Sequence, residues 1–252
     1  MRRWERFALP LTASACLLAV WSLAVHVTAT DIFPSPLAVA QGIGELFRRG
    51  ILVSYVVDSM RRVAIGFALA SLFAIPIGML CGWSRSINAA VNPLVQALRP
   101  ISPIAWMPLA VIWFGIGEAA PVFLIFLGGF FPLVLAANNG VRNVPEIHLR
   151  AAANFGLSTF ATLRRVVFPA AVPNILIGLR ISLGVSWLVL VAAEMIAVDS
   201  GLGYLIIDAR NAGKRYDLVV AGMLLIGTIG LILDSSLRRL ERARIFRWGF
   251  RG

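Results

Sequence analysis

Lysine is nearly missing from this chain of 252 residues: Lys214 stands alone beside 22 arginines, which together make up the 23 basic residues. Histidine and cysteine occur twice each, and 14% of residues are charged, against about 25% in an ordinary soluble domain. Each shortage excludes some chemistry. A phosphate-cradling loop needs G-x-x-x-x-G-K-[ST]. Here Gly213-Lys214 is followed by Arg215, and Asp208 stands where the first glycine belongs, so the chain is no P-loop ATPase. His26 and His148 form neither an H-E-x-x-H pattern nor a His/Cys cluster, so no metal site is expected. Gly184-Val-Ser186 has the form of a serine nucleophile, but no histidine lies on a late apolar run to serve as its base. Cys16 and Cys81 fall in or beside apolar runs without C-x-x-C spacing, and read as buried thiols rather than a disulfide. No carboxylates pair at i, i+3 or i+4 within the apolar runs. Enzymatic activity is not expected.

Hydrophobic residues make up 59% of the chain, and the mean hydropathy is +0.85. They fall in long blocks divided by short charged clusters, the pattern of a polytopic membrane protein. Six spans can be read: Phe7–Ala29, Val56–Gly82, Pro93–Phe114, Ala119–Asn138, Ile177–Val198 and Leu218–Asp234. The runs are continuous rather than alternating, which implies an all-α helical bundle and not a barrel. The basic N-terminus and the long run after it favour a retained signal anchor over a cleaved signal peptide.

Arginine placement sets the orientation. With the N-terminus inside, segments 1–6, 83–92, 139–176 and 235–252 hold fourteen arginines. The other side holds seven basic residues: Arg48, Arg49, Arg61, Arg62, Arg210, Lys214 and Arg215. This bias places both termini in the cytoplasm. The net charge of +11 is therefore explained by topology, and nucleic acid is not expected as a partner.

Two stretches between spans have their own character. Asp31–Ser54 begins with Pro34-Ser-Pro36 and continues as an amphipathic run suited to the external interface. Residues 139–176 form a long polar cytoplasmic loop containing helix-like pieces. Gly178/Gly184 and Gly222/Gly227/Gly230 recur at helix-packing intervals. Glu194 lies about four residues from the outer end of span five, where a carboxylate is costly unless paired or facing water. An interhelical partner and a place on the pathway are both open to it. Arg99 and Arg180, near the inner ends of spans three and five, can snorkel.

Within 139–176, Arg150-Ala151-Ala152, Gly156, Val166, Phe168 and Pro169 match the spacing E-A-A-x3-G-x9-I-x-L-P. This resembles the loop motif of binding-protein-dependent ABC importer permeases, with Arg for Glu, Val for Ile and Phe for Leu. Pro34-Ser-Pro36-Leu, the Leu98–Pro108 stretch with Trp106, Trp113-Phe-Gly-Ile-Gly-Glu118, Phe168-Pro-Ala-Ala-Val-Pro173, Gly178-Leu-Arg180, Trp187…Ala192-Ala-Glu194-Met195 and Ser200-Gly-Leu-Gly203 resemble the nitrate/sulfonate/taurine-type subgroup. The resemblance implies one permease domain over 1–252, with its core at 56–238, in the bacterial inner membrane. It implies a homodimer, ATP-binding cassette subunits that bind ATP and Mg, and a periplasmic solute-binding protein. A small anion such as a sulfonate, taurine or nitrate is the implied cargo. Arg150, Ala151, Ala152, Gly156, Leu157, Ser158 and Pro169 would couple to the ATPase. Glu194, Arg99, Trp106 and Trp187 are the candidates for pathway or buried-charge roles. The alternative is a self-sufficient channel or secondary carrier, but such carriers carry inverted repeats with broken helices.

Overall fold

Small residues at helical spacing decide how the elements meet. The computed structural model describes residues 5–28 and 32–241, and every regular element among them is helical. In chain order these are α1 (Glu5–Thr28), α2 (Pro36–Arg48), α3 (Ile51–Trp83), α4 (Arg85–Leu98), α5 (Met107–Phe114), α6 (Ala119–Arg142), α7 (Glu146–Asn154), α8 (Thr159–Ala197), α9 (Leu202–Gly213) and α10 (Tyr216–Glu241). Arg2, Arg3, Arg242, Arg244, Arg247 and Arg251, all counted in the charge bias, lie outside the described residues, as does the end of the first expected span at Ala29.

Helix α6 is the centre, flanked by α3 and α8. On α3 the buried residues Ser59, Arg62, Val63, Gly66, Ala70, Ala74, Gly78 and Cys81 recur every three or four positions and form one narrow stripe. Most of them are small, so the backbones approach closely enough for dispersion to hold them where lipid is as apolar as the helices. At Gly78 a Cβ would collide with the Val134 carbonyl oxygen, and at Gly178 with the Ala136 Cβ. Gly184 and Gly227 face open space, so their spacing reflects no contact within the chain.

Contacts along the helices give their directions. Gly66 meets Ile125 and Gly82 meets Val141, so α3 and α6 run parallel. Gly140 meets Ala171 and Gly129 meets Ser186, so α8 runs antiparallel to them. The chain between Trp83 and Ala119 must therefore return from one end of the bundle to the other. It does so through α4 and the segment Pro103–Phe114, which meet at 87°. The expected span Pro93–Phe114 is thus a bent pair of helices, and its first residues belong to α4. The break falls between Pro100 and Pro103, with Ser102 extended, because the residue before a proline is pushed out of the helical region.

Among the described residues, four helical stretches are long and apolar enough to cross a membrane: Ile51–Trp83, Ala119–Arg142, Thr159–Ala197 and Tyr216–Arg239. The bent pair makes a fifth, and the apolar part of α1, Leu11–Val27, is shorter. The sixth span of the sequence reading therefore rests on α1 alone. The structured loop expected over 139–176 is largely helical. Helix α6 continues to Arg142, and α8 begins at Thr159 and runs 39 residues, about 58 Å at 1.5 Å per residue. That exceeds an apolar core of about 30 Å, so the polar first turns of α8 stand beyond it. A π-helical widening at Leu163–Val167 precedes Pro169, whose ring would otherwise press on the Arg165 carbonyl.

The expected amphipathic stretch is α2. Ser35 caps it by accepting from the Ala38 N–H at 3.2 Å, and Pro36 occupies its first position. Its buried face, Val39, Gly42 and Leu46, rests on the start of α10, where Gly42 touches Leu218. Arg215 clamps the contact, 2.7 Å from both Glu45 and Asp217. The hydrogen bond from Arg215 holds the Glu45 carboxyl below the usual carboxylate range.

Candidate functional site

Functional candidates gather at the two ends of the bundle. At one end, α3 places Ser59 and Arg62 one turn apart on the face toward α8, and α8 places Glu194 opposite them. Arg62 is 1% exposed and Glu194 not at all. The guanidinium uses all five of its N–H groups. Nε donates to Glu118 at 3.0 Å and Nη2 to the other Glu118 oxygen at 2.6 Å. Nη1 donates to Glu194 and to the Ser200 carbonyl, both at 2.8 Å, and Nη2 reaches Ser200 Oγ at 2.7 Å. Glu194 also accepts from Ser59 Oγ at 2.8 Å and from the Gly203 N–H at 2.9 Å, while Ser59 Oγ accepts from Leu202 N at 2.9 Å.

The cluster joins four pieces of chain: α3, the turn before α6, α8, and the turn 198–201 that leads into α9. Arg61 adds a second cation on Glu118 at 2.9 Å, so two arginines face two carboxylates and the group is neutral. Arg62, with Arg61 behind it, holds the half-exposed Glu118 carboxyl below the usual carboxylate range. Gly201 has φ +105°, and a Cβ there would collide with the Glu194 carboxylate. This turn is built around the acid.

Glu194 has an interhelical partner, Arg62 on α3. Ser59 is not named in the sequence reading, and Arg62, Glu118 and Ser200 enter it only in the charge count and the resemblance motifs, with no role as partners of Glu194. The available signal was an arginine and a glutamate at comparable depth in two apolar runs, each too costly to stand alone. Trp187, a pathway candidate, is 5% exposed, and its Nε1 donates to the Ile226 carbonyl at 3.2 Å. It packs α8 to α10, with Gly230 against its ring, so within the chain it lines no open path. Trp106 packs beside Met107 and Ala110 near the bend. Arg99 is exposed at the end of α4, and Arg180 is no lone snorkelling residue: it binds Asp234 and Glu241 on α10, both at 3.1 Å.

The other end carries α7. This helix stops in a Schellman motif: Leu157 N–H bonds the Ala152 carbonyl at 3.1 Å and Gly156 N–H the Ala153 carbonyl at 2.9 Å. Gly156 sits at φ +66°, the left-handed conformation the motif requires. Ser158 then caps α8, accepting from Ala161 N at 3.3 Å, so it opens the next helix instead of ending α7. Ala151 is exposed, whereas Ala152 is buried at 3% exposure. Pro169 lies inside α8. Arg150 makes an exposed i,i+4 pair with Glu146 at 3.0 Å. Large apolar side chains unsingled by the sequence reading surround this helix: Ile147 is 72% exposed, Phe155 85% and Phe160 73%.

Comparison with known proteins agrees with this architecture. The family described as "Binding-protein-dependent transport system inner membrane component" matches residues 74–245. A putative ABC transporter permease protein of Methanocaldococcus jannaschii is 40% identical over 97% of this chain and 93% of its own length. The taurine transport system permease protein of Escherichia coli is 36% identical over 98% of this chain and 92% of its own. A putative aliphatic sulfonates transport permease protein of Bacillus subtilis is 35% identical over 94% and 86% respectively. Among solved structures, an inward-facing methionine ABC transporter superposes with a TM-score of 0.68 at 16% identity, covering 76% of this chain and 95% of its own, a likeness of fold.

Proposed function

The chain belongs to the binding-protein-dependent transport system inner membrane components, and from that premise we propose that it is the pore-forming subunit of an importer for a small organic or inorganic oxyanion. Family membership makes it a multi-pass inner membrane protein and a transport component rather than a catalytic enzyme. In the proposed assembly two copies of the chain enclose the path. Separate cassette subunits bind ATP and Mg beneath α7, and a periplasmic binding protein delivers cargo to the Arg62 end. The chain is read as one permease domain, with α1 as its sixth span and both termini in the cytoplasm.

The observation that carries this reading is the α7 end. A short helix closed by a left-handed glycine and ringed by Ile147, Phe155 and Phe160 has the size and apolar character to enter a groove on another subunit. Copurification of a cassette ATPase with the chain is the expected result; a chain that transports its cargo alone would establish the channel or carrier alternative. The anion assignment is supported by relatives named for taurine and aliphatic sulfonates. With the ATPase and cognate binding protein reconstituted, hydrolysis is expected to rise with sulfonates or similar oxyanions. A response confined to cations or neutral solutes would overturn the cargo and leave the permease reading standing.

Orientation has its own test. Asn143 and Thr159 are both exposed at the α7 end. With Cys16 and Cys81 replaced, a single cysteine at either position is expected to resist an impermeant thiol reagent in intact cells and react after permeabilisation. Labelling from outside would reverse the topology.

A further inference from the structure

We propose that the cavity beside α7 is a binding site for the phosphate of an anionic phospholipid. The cavity, about 610 Å³, lies where the ends of α3 and α6 meet the starts of α4 and α7, and its wall includes Trp83, Arg85, Asn88, Arg142, Leu149 and Val167. No acidic residue lines it. Arg62 and Arg215 are each paired with two carboxylates, whereas among the described residues neither Arg85 nor Arg142 has an acceptor. Arg85 also opens α4, so the positive end of that helix adds to the field.

The depth of the cavity suits a lipid head group. Trp83 ends the apolar run of α3 and Arg142 ends that of α6. Tryptophan and arginine in such positions mark the membrane–water interface, and basic pockets between helices at that level bind lipid phosphates. Size discriminates between occupants. The space equals about 20 water molecules at ~30 Å³ each, several times what an inorganic phosphate fills. Val144, Leu149 and Val167 give it an apolar side, which matches the glycerol and first methylenes of a lipid and offers a free oxyanion nothing. Arginine's planar fork can hold two phosphate oxygens at once. Because Leu149 belongs to α7, an occupant would brace that helix against the bundle; this last consequence rests on the function proposed above.

The test uses the full chain with its ATPase partner in nanodiscs of phosphatidylcholine alone or doped with phosphatidylglycerol. Native mass spectrometry then counts the phosphatidylglycerol retained through mild delipidation. The wild type is expected to retain it, and R85Q/R142Q to retain it roughly tenfold less. R164Q/R165Q, which removes two exposed arginines from the start of α8 at the same end, should behave as wild type. Thermal unfolding of each variant in phosphatidylcholine alone separates lost binding from lost fold. Equal retention by all three proteins would overturn the site. Retention of added inorganic phosphate by the wild type, abolished in R85Q/R142Q and without any lipid preference, would overturn the lipid and assign a free oxyanion instead.

Discussion

Arg62→Ala is expected to destabilise the folded chain by about 3–5 kcal/mol, the range for breaking a buried ion pair from one side. The loss exceeds one contact. Without the guanidinium, Glu194 keeps only Ser59 and the Gly203 N–H for a fully buried negative charge, and the turn at Ser200 loses both its bonds to α3. Glu194→Ala should cost a similar amount, since Arg62 would then face Glu118 alone among carboxylates. Replacing both by methionine should recover much of the deficit, because an apolar pair of similar volume leaves no uncompensated charge. The measurement is thermal or denaturant unfolding of the purified chain in one detergent, closed as a double-mutant cycle. Near-wild-type stability of Arg62→Ala, or strictly additive losses in the double variant, would show that the contacts do not act as a unit. Gly201→Ala is expected to fall with the acid variants, since its Cβ would occupy the place of the Glu194 carboxylate.

That this cluster was only half legible in the sequence follows from how the charges are written there. Glu194 stands alone in an apolar run, so its need for a partner could be read directly. Arg62 follows Arg61 near the start of span two and reads as the basic end of a loop. Glu118 is legible only as the end of the Trp113–Glu118 motif, with no partner written beside it. Only the parallel packing of α3 and α6, set by Gly66, Gly78 and Gly82, brings Glu118 to Arg62. No local pattern encodes that approach.

The remaining misreadings share one cause: hydropathy reports solvent, not backbone. Residues 159–176 read as part of a polar stretch with helix-like pieces, and in the structure they are the first turns of α8, with Thr162, Val167, Ala171, Ile175 and Leu176 buried against the bundle. Pro93–Phe114 averages as one apolar span, while Pro100 and Pro103 turn it by 87°. By contrast, the glycine after α7 was readable. A helix-forming stretch followed by a lone glycine and a new capping serine specifies a left-handed stop, and the Leu157 and Gly156 hydrogen bonds close it.

Gly156→Val is expected to leave an inserted, assembled protein that hydrolyses ATP poorly or without transport. The cause lies first in the backbone. Gly156 holds φ +66°, where a side chain costs roughly 1–2 kcal/mol, and a β-branched one sits worst there. Nothing lies within 4 Å of a Cβ at this position, so the substitution creates no clash inside the chain and the bundle should fold. Relief of the strain must come from the Schellman bonds, which would swing α7 and Phe155 away from their present aim relative to α8. A loss of aim that leaves the bundle intact is expected to appear in coupling and not in stability. Gly156→Asn, which tolerates the left-handed region, should restore most of the transport and so identify the conformation as the cause. Arg150→Ala serves as the neighbouring control: its exposed pair with Glu146 is worth about 0.3–0.5 kcal/mol, and little should change. The measurements are ATPase copurification, hydrolysis and uptake in reconstituted vesicles, with unfolding of each variant beside them. If Gly156→Val transported at the wild-type rate, or if deleting residues 150–158 left ATPase association intact, α7 would not be the contact through which ATP drives this chain.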